Sequence, residues 1–127
     1  MTPEQRAARI ADARAILDAL EADEALPLPI ALTHAGFYFR APGPAPLSTR
    51  RQLAALEAAI PAVFGTGCPD GFGDWLVEGL MPGGVRIQLK AIVGHVARQV
   101  TSVREMPVTD WERIAGEDEA PESGERA

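Results

Sequence analysis

Residues that could support catalysis or metal binding are scattered along the chain and form no recognisable constellation. His34 has no nucleophile, acid or second ligand near it in the sequence, so we interpret it as a turn residue rather than a general base. Cys68 would need an activating base to act as a nucleophile, and the sequence identifies none. Asp70 and Asp74 could in principle share a cation with Glu78, but no set of Cys and His residues has metal-ligand spacing. We therefore expect no catalytic residue, no metal and no cofactor.

The most glycine-rich stretch, residues 65–73 (GTGCPDGFG), invites interpretation as a phosphate-binding loop. The dinucleotide fingerprint requires glycine where the chain has Asp70, and no Gly-Lys-Ser/Thr follows. A phosphate site also needs a helix N-terminus after the loop, whereas the next segment has the pattern of a strand. We interpret the stretch as a flexible connection between a helix and a hairpin.

Residues 74–105 are predicted to form the centre of the fold. Apolar and polar residues alternate on both sides of the loop at residues 82–84, as in two strands that each bury one face. Residues paired across an antiparallel ladder share a face, so the pattern restricts the register. Pairing Met81 with Val85 keeps the two faces separate, whereas pairing Leu80 with Val85 mixes them. We therefore predict the register that pairs Met81 with Val85.

The predicted register leaves a three-residue loop, Pro82-Gly83-Gly84. The last position of such a loop normally has positive φ and favours glycine. From the sequence alone, Gly84→Ala should therefore be more harmful than Gly83→Ala.

One face of this hairpin is apolar, and the second face combines leucines with polar and charged residues. Two helices can cover one face of a small sheet but hardly both, so this second face is predicted to be an interaction surface for a second copy of the chain or for another protein. It consists of Leu76, Glu78, Leu80, Arg86, Gln88 and Lys90. The alternative is that Leu26, Leu28 or Trp111 folds over the leucines within the monomer.

Two helices are predicted before the hairpin. Thr2 and Gln5 form a capping box around Pro3 at the start of the first helix. Its expected buried stripe is Ile10, Ala13, Leu17 and Leu20, with Ile16 beside them and with Asp12 and Arg9 paired on the exposed side. The second helix is expected to open at Thr49, with Gln52 three residues later, and to bury Leu53, Leu56 and Ile60.

The remaining segments are shorter. Residues 30–40 suggest either two short strands joined by a tight turn at 33–36, which we favour, or one bulged strand. The alternation breaks at residues 93–95, and a third hairpin strand within residues 96–105 has no assignable register. A helix over residues 88–99 is the alternative, although Gly94 and the β-branched residues weigh against it. Residues 109–112 have a capping-box pattern that predicts a short helical turn. Residues 117–127 are too polar to bury and are predicted to be a solvated, disordered acidic tail after a single domain at 1–116.

Charge and hydropathy exclude some classes of protein. The net charge is −6, and residues 117–127 account for −4 of it, so a basic nucleic-acid-binding footprint is absent and nucleic acid is an unlikely partner. No apolar run approaches the roughly 20 residues that span a bilayer. The first helix carries both charges and lacks the apolar segment of a signal peptide. We expect a cytoplasmic chain without a membrane partner.

The order of elements resembles that of small proteins of no assigned activity encoded by actinobacterial genomes, prophages and phages. The most specific part is the sequence at residues 83–89, GGVRIQL, followed by Val96-Ala97-Arg98. The resemblance covers most of the chain. It implies no activity and no residue role, and it favours an accessory protein of a phage or mobile element that acts by binding.

The sequence thus predicts an α+β fold, a small and mainly antiparallel sheet with two helices packed on one face, in the order α-β-β-α-β-β-β. The leading functional hypothesis is a non-catalytic protein-binding or assembly module. A small enzyme is the first alternative, and convergence of His34, Asp70 or His95 in a polar pocket would favour it. A nucleic-acid-associated protein is the second, and a stripe of Arg86, Arg98 and Arg104 on one sheet face would favour it.

Overall fold

A computed structural model describes residues 1–33, 35–102 and 108–114, which form three helices and eight strands. The α+β class is confirmed, and the order of elements is close to the predicted one. In chain order the elements are α1 (Pro3–Ala22), β1 (Ala31–Leu32), β2 (Gly36–Arg40), α2 (Pro46–Ala59), β3 (Val63–Phe64), β4 (Cys68–Pro69), β5 (Asp74–Leu80), β6 (Arg86–Ile92), α3 (Val93–Val96), β7 (Ala97–Ser102) and β8 (Val108–Arg113).

Six strands form the main sheet, in the order β1-β2-β6-β5-β3, with β4 also paired to β5. Only β2 and β6 run parallel among the described pairs, because the chain between them passes through α2 and returns along β5. The inner face of this sheet packs against α1 and α2, and the outer face is the opposite side. Core residues on the inner face include Phe39, Trp75, Val77, Ile87 and Leu89.

The central hairpin has the predicted register. Met81 N–H donates to Val85 O at 2.9 Å, and β5 pairs with β6 from Asp74 opposite Ile92 to Leu80 opposite Arg86. The predicted positive φ at the end of the loop is also present, since Gly84 has φ of 101°.

The glycine-rich stretch before the hairpin is not a free connection, as the sequence suggested, but a bulged edge strand. β3, just before the stretch, and β4, within it, pair with β5 at Gly79–Leu80 and Trp75–Leu76. Residues 65–67 therefore lie opposite only residues 77–78, which is the one-residue excess of a β-bulge. Gly67 sits at φ of 102°, and a Cβ there would lie 2.3 Å from Trp75 Nε1. The bulge thus requires glycine for both conformation and space.

Helix α1 has the predicted capping box but buries a different face. Thr2 and Gln5 exchange side-chain to backbone hydrogen bonds of 2.8 and 3.1 Å. The buried positions are Asp12, Ile16 and Leu20, whereas Ile10 and Leu17 are 43% and 51% exposed. The expected exposed pairing of Asp12 is therefore wrong.

The reason for this rotation is the hairpin loop. Asp12 is 4% exposed, and its carboxylate accepts hydrogen bonds from Gly83 N–H at 2.9 Å and Val85 N–H at 3.0 Å. Burying a charge is costly unless it is hydrogen-bonded, and these two charge-assisted hydrogen bonds offset the lost hydration of the carboxylate. Helix α1 is consequently fixed to the loop.

Helix α2 begins three residues earlier than expected. Pro46 takes the first helical position, and Ala45 N–H donates to Ser48 Oγ at 3.1 Å, so Thr49 is not the cap. The Thr49 hydroxyl instead donates to Gly43 O at 2.9 Å inside the fold. The predicted stripe is confirmed, because Leu53, Leu56 and Ile60 are all buried.

Residues 30–40 form two short strands, as favoured. β1 and β2 pair antiparallel, and Thr33 N–H donates to Gly36 O at 2.9 Å across the turn. His34, the predicted turn residue, lies outside the described residues.

The C-terminal region differs from the prediction. The break in alternation at residues 93–95 is the short helix α3, and the strand after it pairs with β8 in a separate two-stranded sheet. The expected helical turn at 109–112 is therefore wrong, because cross-strand contacts such as Thr101 Oγ1 to Thr109 Oγ1 (3.0 Å) outweigh a local capping signal. The proposed tail, residues 117–127, lies outside the described residues.

The loop environment reverses the order of the two glycine substitutions. A Cβ on Gly84 would have its nearest atoms at 3.8 Å, so Gly84→Ala should cost about 1 kcal/mol through backbone conformation. A Cβ on Gly83 would lie 2.3 Å from the backbone oxygen of Ala8, so Gly83→Ala should cost about 1–3 kcal/mol as α1 is pushed away. Chemical denaturation of both variants measures the difference, and a neutral Gly83→Ala would contradict the close approach.

The buried carboxylate gives a second prediction. Asp12→Ala should lower the free energy of unfolding by about 2 kcal/mol or more, because two backbone donors lose a charged acceptor. Asp18→Ala on the exposed side of the same helix is the matched control and should stay within about 0.5 kcal/mol of the wild type. Equal losses for the two variants would show that the carboxylate does not anchor the loop.

Candidate functional site

All six residues predicted to form an interaction surface lie on the outer face. The ladder pairs Leu76 with Lys90, Glu78 with Gln88, and Leu80 with Arg86. Directly paired residues share a face, and the alternate residues of both strands are buried in the core. The hairpin pattern therefore placed these side chains together correctly.

Neighbouring strands add residues that the sequence analysis missed. Val63 pairs with Leu80 from the β3 edge, and Cys68 pairs with Leu76. On the other side, Tyr38 and Arg40 of β2 lie beside Gln88 and Lys90. The additions are Val63, Cys68, Tyr38 and Arg40. No local signal identifies them, because their place on this face follows from strand order.

One end of the outer face holds charges that are paired within the chain. Arg40 makes two hydrogen bonds of 2.8 Å to the carboxylate of Asp74, and Lys90 Nζ lies 3.8 Å from Asp70. Asp70 also accepts from Phe72 N–H at 2.7 Å and from Asp74 N–H at 3.1 Å. These acids are thus occupied by donors from the protein. Over the described ranges, no group of three or more Cys, His, Asp or Glu side chains could hold a metal ion.

These contacts also shift two ionisation equilibria. The hydrogen bond to Asp74 raises the pKa of the Arg40 guanidinium. The hydrogen bond from Phe72 N–H, with further contributions from Asp74 N–H and the Lys90 charge, lowers the pKa of Asp70. The charged form of each group is therefore favoured in the folded state.

The other end of the outer face is apolar and carries unpaired charges. Val63 is 83% exposed and Leu80 is 53% exposed. Glu78 and Arg86 are both exposed, and neither is in an ion pair with another residue of the described ranges. Glu78 accepts a 3.3 Å hydrogen bond from Gln88 Nε2. A pocket at this end is lined by Val63, Glu78, Gly79, Leu80, Arg86 and Ile87.

The residues considered as an internal cover lie elsewhere. Leu26 is buried in the core cluster, Leu28 is largely exposed, and Trp111 belongs to β8 opposite Gln99. Because Leu80 and Val63 keep more than half of their surface in solvent, no described part of the chain closes this end of the face.

His95 joins α3 to α2 on the helical side of the molecule. Its Nδ1 lies 2.9 Å from Thr49 Oγ1, and its backbone oxygen accepts from Arg50 Nη1 at 3.0 Å. Because the Thr49 hydroxyl gives its proton to Gly43 O, the imidazole must donate from Nδ1. These contacts attach α3 to α2.

The features expected of the two alternative functions are not assembled by the described residues. His95 and Asp70 have separate partners, and His34 lies outside the described ranges. Arg86 lies in the main sheet, whereas Arg98 belongs to the β7–β8 sheet, where its Nε donates to Glu112 at 2.7 Å. Because they lie in different sheets, Arg86 and Arg98 do not form one stripe. Arg104 lies outside the described residues.

The described helices include none with the length and apolar character required to cross a membrane. The chain matches no protein-family model, and comparison with curated proteins and with solved structures finds no match either.

The lowered pKa of Asp70 predicts a contribution to acid stability. A carboxyl whose folded-state pKa is depressed contributes stability above its unfolded value near pH 4, and this contribution is lost as the pH falls through the folded pKa. Asp70→Asn should therefore have a flatter stability curve than the wild type between about pH 5 and pH 2. Denaturation at each pH and an NMR titration of the carboxyl test this; an Asp70 midpoint at or above the ordinary value would contradict it.

Proposed function

We propose that this protein is a non-catalytic binding or assembly module that contacts another protein chain through its outer face. The observation that carries the proposal is the exposure of Val63 and Leu80, side by side on adjacent strands and next to two charges, Glu78 and Arg86, that have no ionic partner in the described part of the chain. Single exposed apolar residues are ordinary on protein surfaces, but an apolar pair next to charges has the composition of a contact surface.

The chemistry of the face suits recognition. Burying an exposed valine or leucine contributes about 1.5–3 kcal/mol per side chain, so Val63 and Leu80 can supply affinity. Glu78 and Arg86 have no ionic partner among the described residues, and such charges select partners through electrostatic complementarity. Affinity and selectivity would thus come from adjacent positions.

This role also agrees with the resemblance to small proteins of phages and actinobacterial genomes. An accessory protein of a phage or mobile element that acts by binding would require a surface rather than a catalytic pocket. We therefore favour that biological context.

Substitution of Leu80 tests the proposal. Leu80→Glu should abolish association, measured by elution volume and by capture of partners from the native host, because a charge replaces the apolar contact. Circular dichroism and the melting temperature should remain close to those of the wild type, since the side chain is about half exposed.

Leu17→Glu is the matched control. Leu17 is 51% exposed on α1, almost the same as Leu80 at 53%, but lies away from the outer face. The control should keep all association. Unfolding of Leu80→Glu, or association unchanged by it, would refute the role of the face.

A further inference from the structure

Four outer-face residues at the unpaired end form a block with a particular charge pattern. Glu78 is directly opposite Gln88, and Leu80 is directly opposite Arg86. The block is about 5 Å wide and about 7 Å long, from the usual strand spacing and the rise of two residues. Glu78 and Arg86 occupy one diagonal, and the uncharged Leu80 and Gln88 occupy the other.

This pattern is complementary to itself under twofold symmetry. In a twofold interface, residue i of one copy contacts residue j of the other, and j contacts i in return. An axis lying along the Leu80–Gln88 diagonal exchanges the positions of Glu78 and Arg86. The acid of each copy then faces the base of the other, twice, and Leu80 faces its own counterpart.

The neighbouring strands add uncharged residues beside the ends of this diagonal. Val63 lies directly beside Leu80 on one side of the block, and Tyr38 lies directly beside Gln88 on the other. Leu80 and Gln88, the two residues on the axis, are uncharged and would meet their own counterparts without like-charge repulsion. Val63 and Tyr38 flank the axis and add no charge next to it.

The other charges on the face do not oppose this arrangement. Arg40 is paired with Asp74, and Lys90 lies near Asp70 within the same chain. One acid and one base, Glu78 and Arg86, are left at the block without an ionic partner among the described residues. An equal number of opposite charges, placed symmetrically about an uncharged line, matches a second copy of the same surface.

We propose that the occupant of the outer face is a second copy of this chain, bound through a twofold axis over Leu80 and Gln88. This inference rests on the proposed function and names its partner. The diagonal of this block lies at roughly 35° to the strands, so the two sheets would cross at roughly 70°, closer to the orthogonal than to the aligned class of sheet packing. The face is about 20 Å wide and about 20 Å long, so its area is on the order of 400 Å², about half of the roughly 800 Å² per partner of a standard interface. We therefore expect a weak, micromolar dimer.

Charge exchange tests the pairing. Glu78→Arg alone and Arg86→Glu alone should each weaken dimerisation at least about tenfold, because each places like charges opposite one another twice. An equimolar mixture of the two variants should form a heterodimer with near wild-type affinity, since every contact again joins an acid to a base. Sedimentation equilibrium at protein concentrations on the order of 100 μM measures all three cases.

Two outcomes of the sedimentation experiment would contradict the inference. A wild-type chain that stays monomeric up to about 1 mM has no such dimer. The proposed function would then still be judged by loss of partner capture in Leu80→Glu. A wild-type dimer unaffected by the single variants, or not restored in the mixture, uses a different contact.

A cross-linking measurement does not depend on the charge variants folding. With Cys68→Ser as background, Leu80→Cys should form a disulfide-linked dimer under mild oxidation, because position 80 faces its own counterpart near the axis. Leu17→Cys in the same background is equally exposed and should remain monomeric. Absence of the cross-link at position 80, or equal cross-linking at both positions, would refute the axis.

Discussion

The architecture depends on the contact between the carboxylate of Asp12 and the loop of the central hairpin. A three-residue loop cannot satisfy all its backbone donors internally, and those of Gly83 and Val85 are directed at this buried acid. The missing side chain at Gly83 lets α1 approach the loop closely. Together these features fix one helix to one side of the hairpin. They hold α1 against the apolar face of the hairpin, which is the core side, and leave the opposite face outward.

The other helical elements and the β7–β8 hairpin are attached on the same side of the sheet as α1. Helix α2 packs on the same side, and the β7–β8 hairpin is attached to it by hydrogen bonds from Arg113 to Glu57, one of them 2.8 Å long. Ile114, at the end of β8, is buried and its N–H donates to Val96 O at 2.7 Å. The described elements that could cover the sheet are thus concentrated on its inner face. The outer face is left with its own ion pairs, Arg40–Asp74 and Lys90–Asp70.

Sequence patterns predicted the features that depend on residues close together in the chain and missed those that depend on residues far apart. The hairpin register and the six predicted surface residues follow from period-two alternation within a single hairpin. The burial of Asp12 could not be found, because its partner Gly83 is 71 residues away and an acid on an amphipathic helix ordinarily faces solvent. Val63 and Tyr38 were missed because strand order alone places them beside Leu80 and Gln88. At residues 109–112, the capping pattern predicted a helical turn, but these residues form a strand that pairs with β7.

The edges of the main sheet are poorly suited to strand addition by a partner. Strand addition requires a long row of free backbone donors and acceptors, but the path ends in the two-residue strands β1 and β3. The bulge between β3 and β4 further interrupts that edge, because Gly65 N–H is directed inward to Glu78 O. A partner pairing at either edge would gain few backbone hydrogen bonds. A partner on the outer face would instead bury Val63 and Leu80 and neutralise Glu78 and Arg86, so it would gain more from these side chains than a partner at either short edge would gain from backbone pairing.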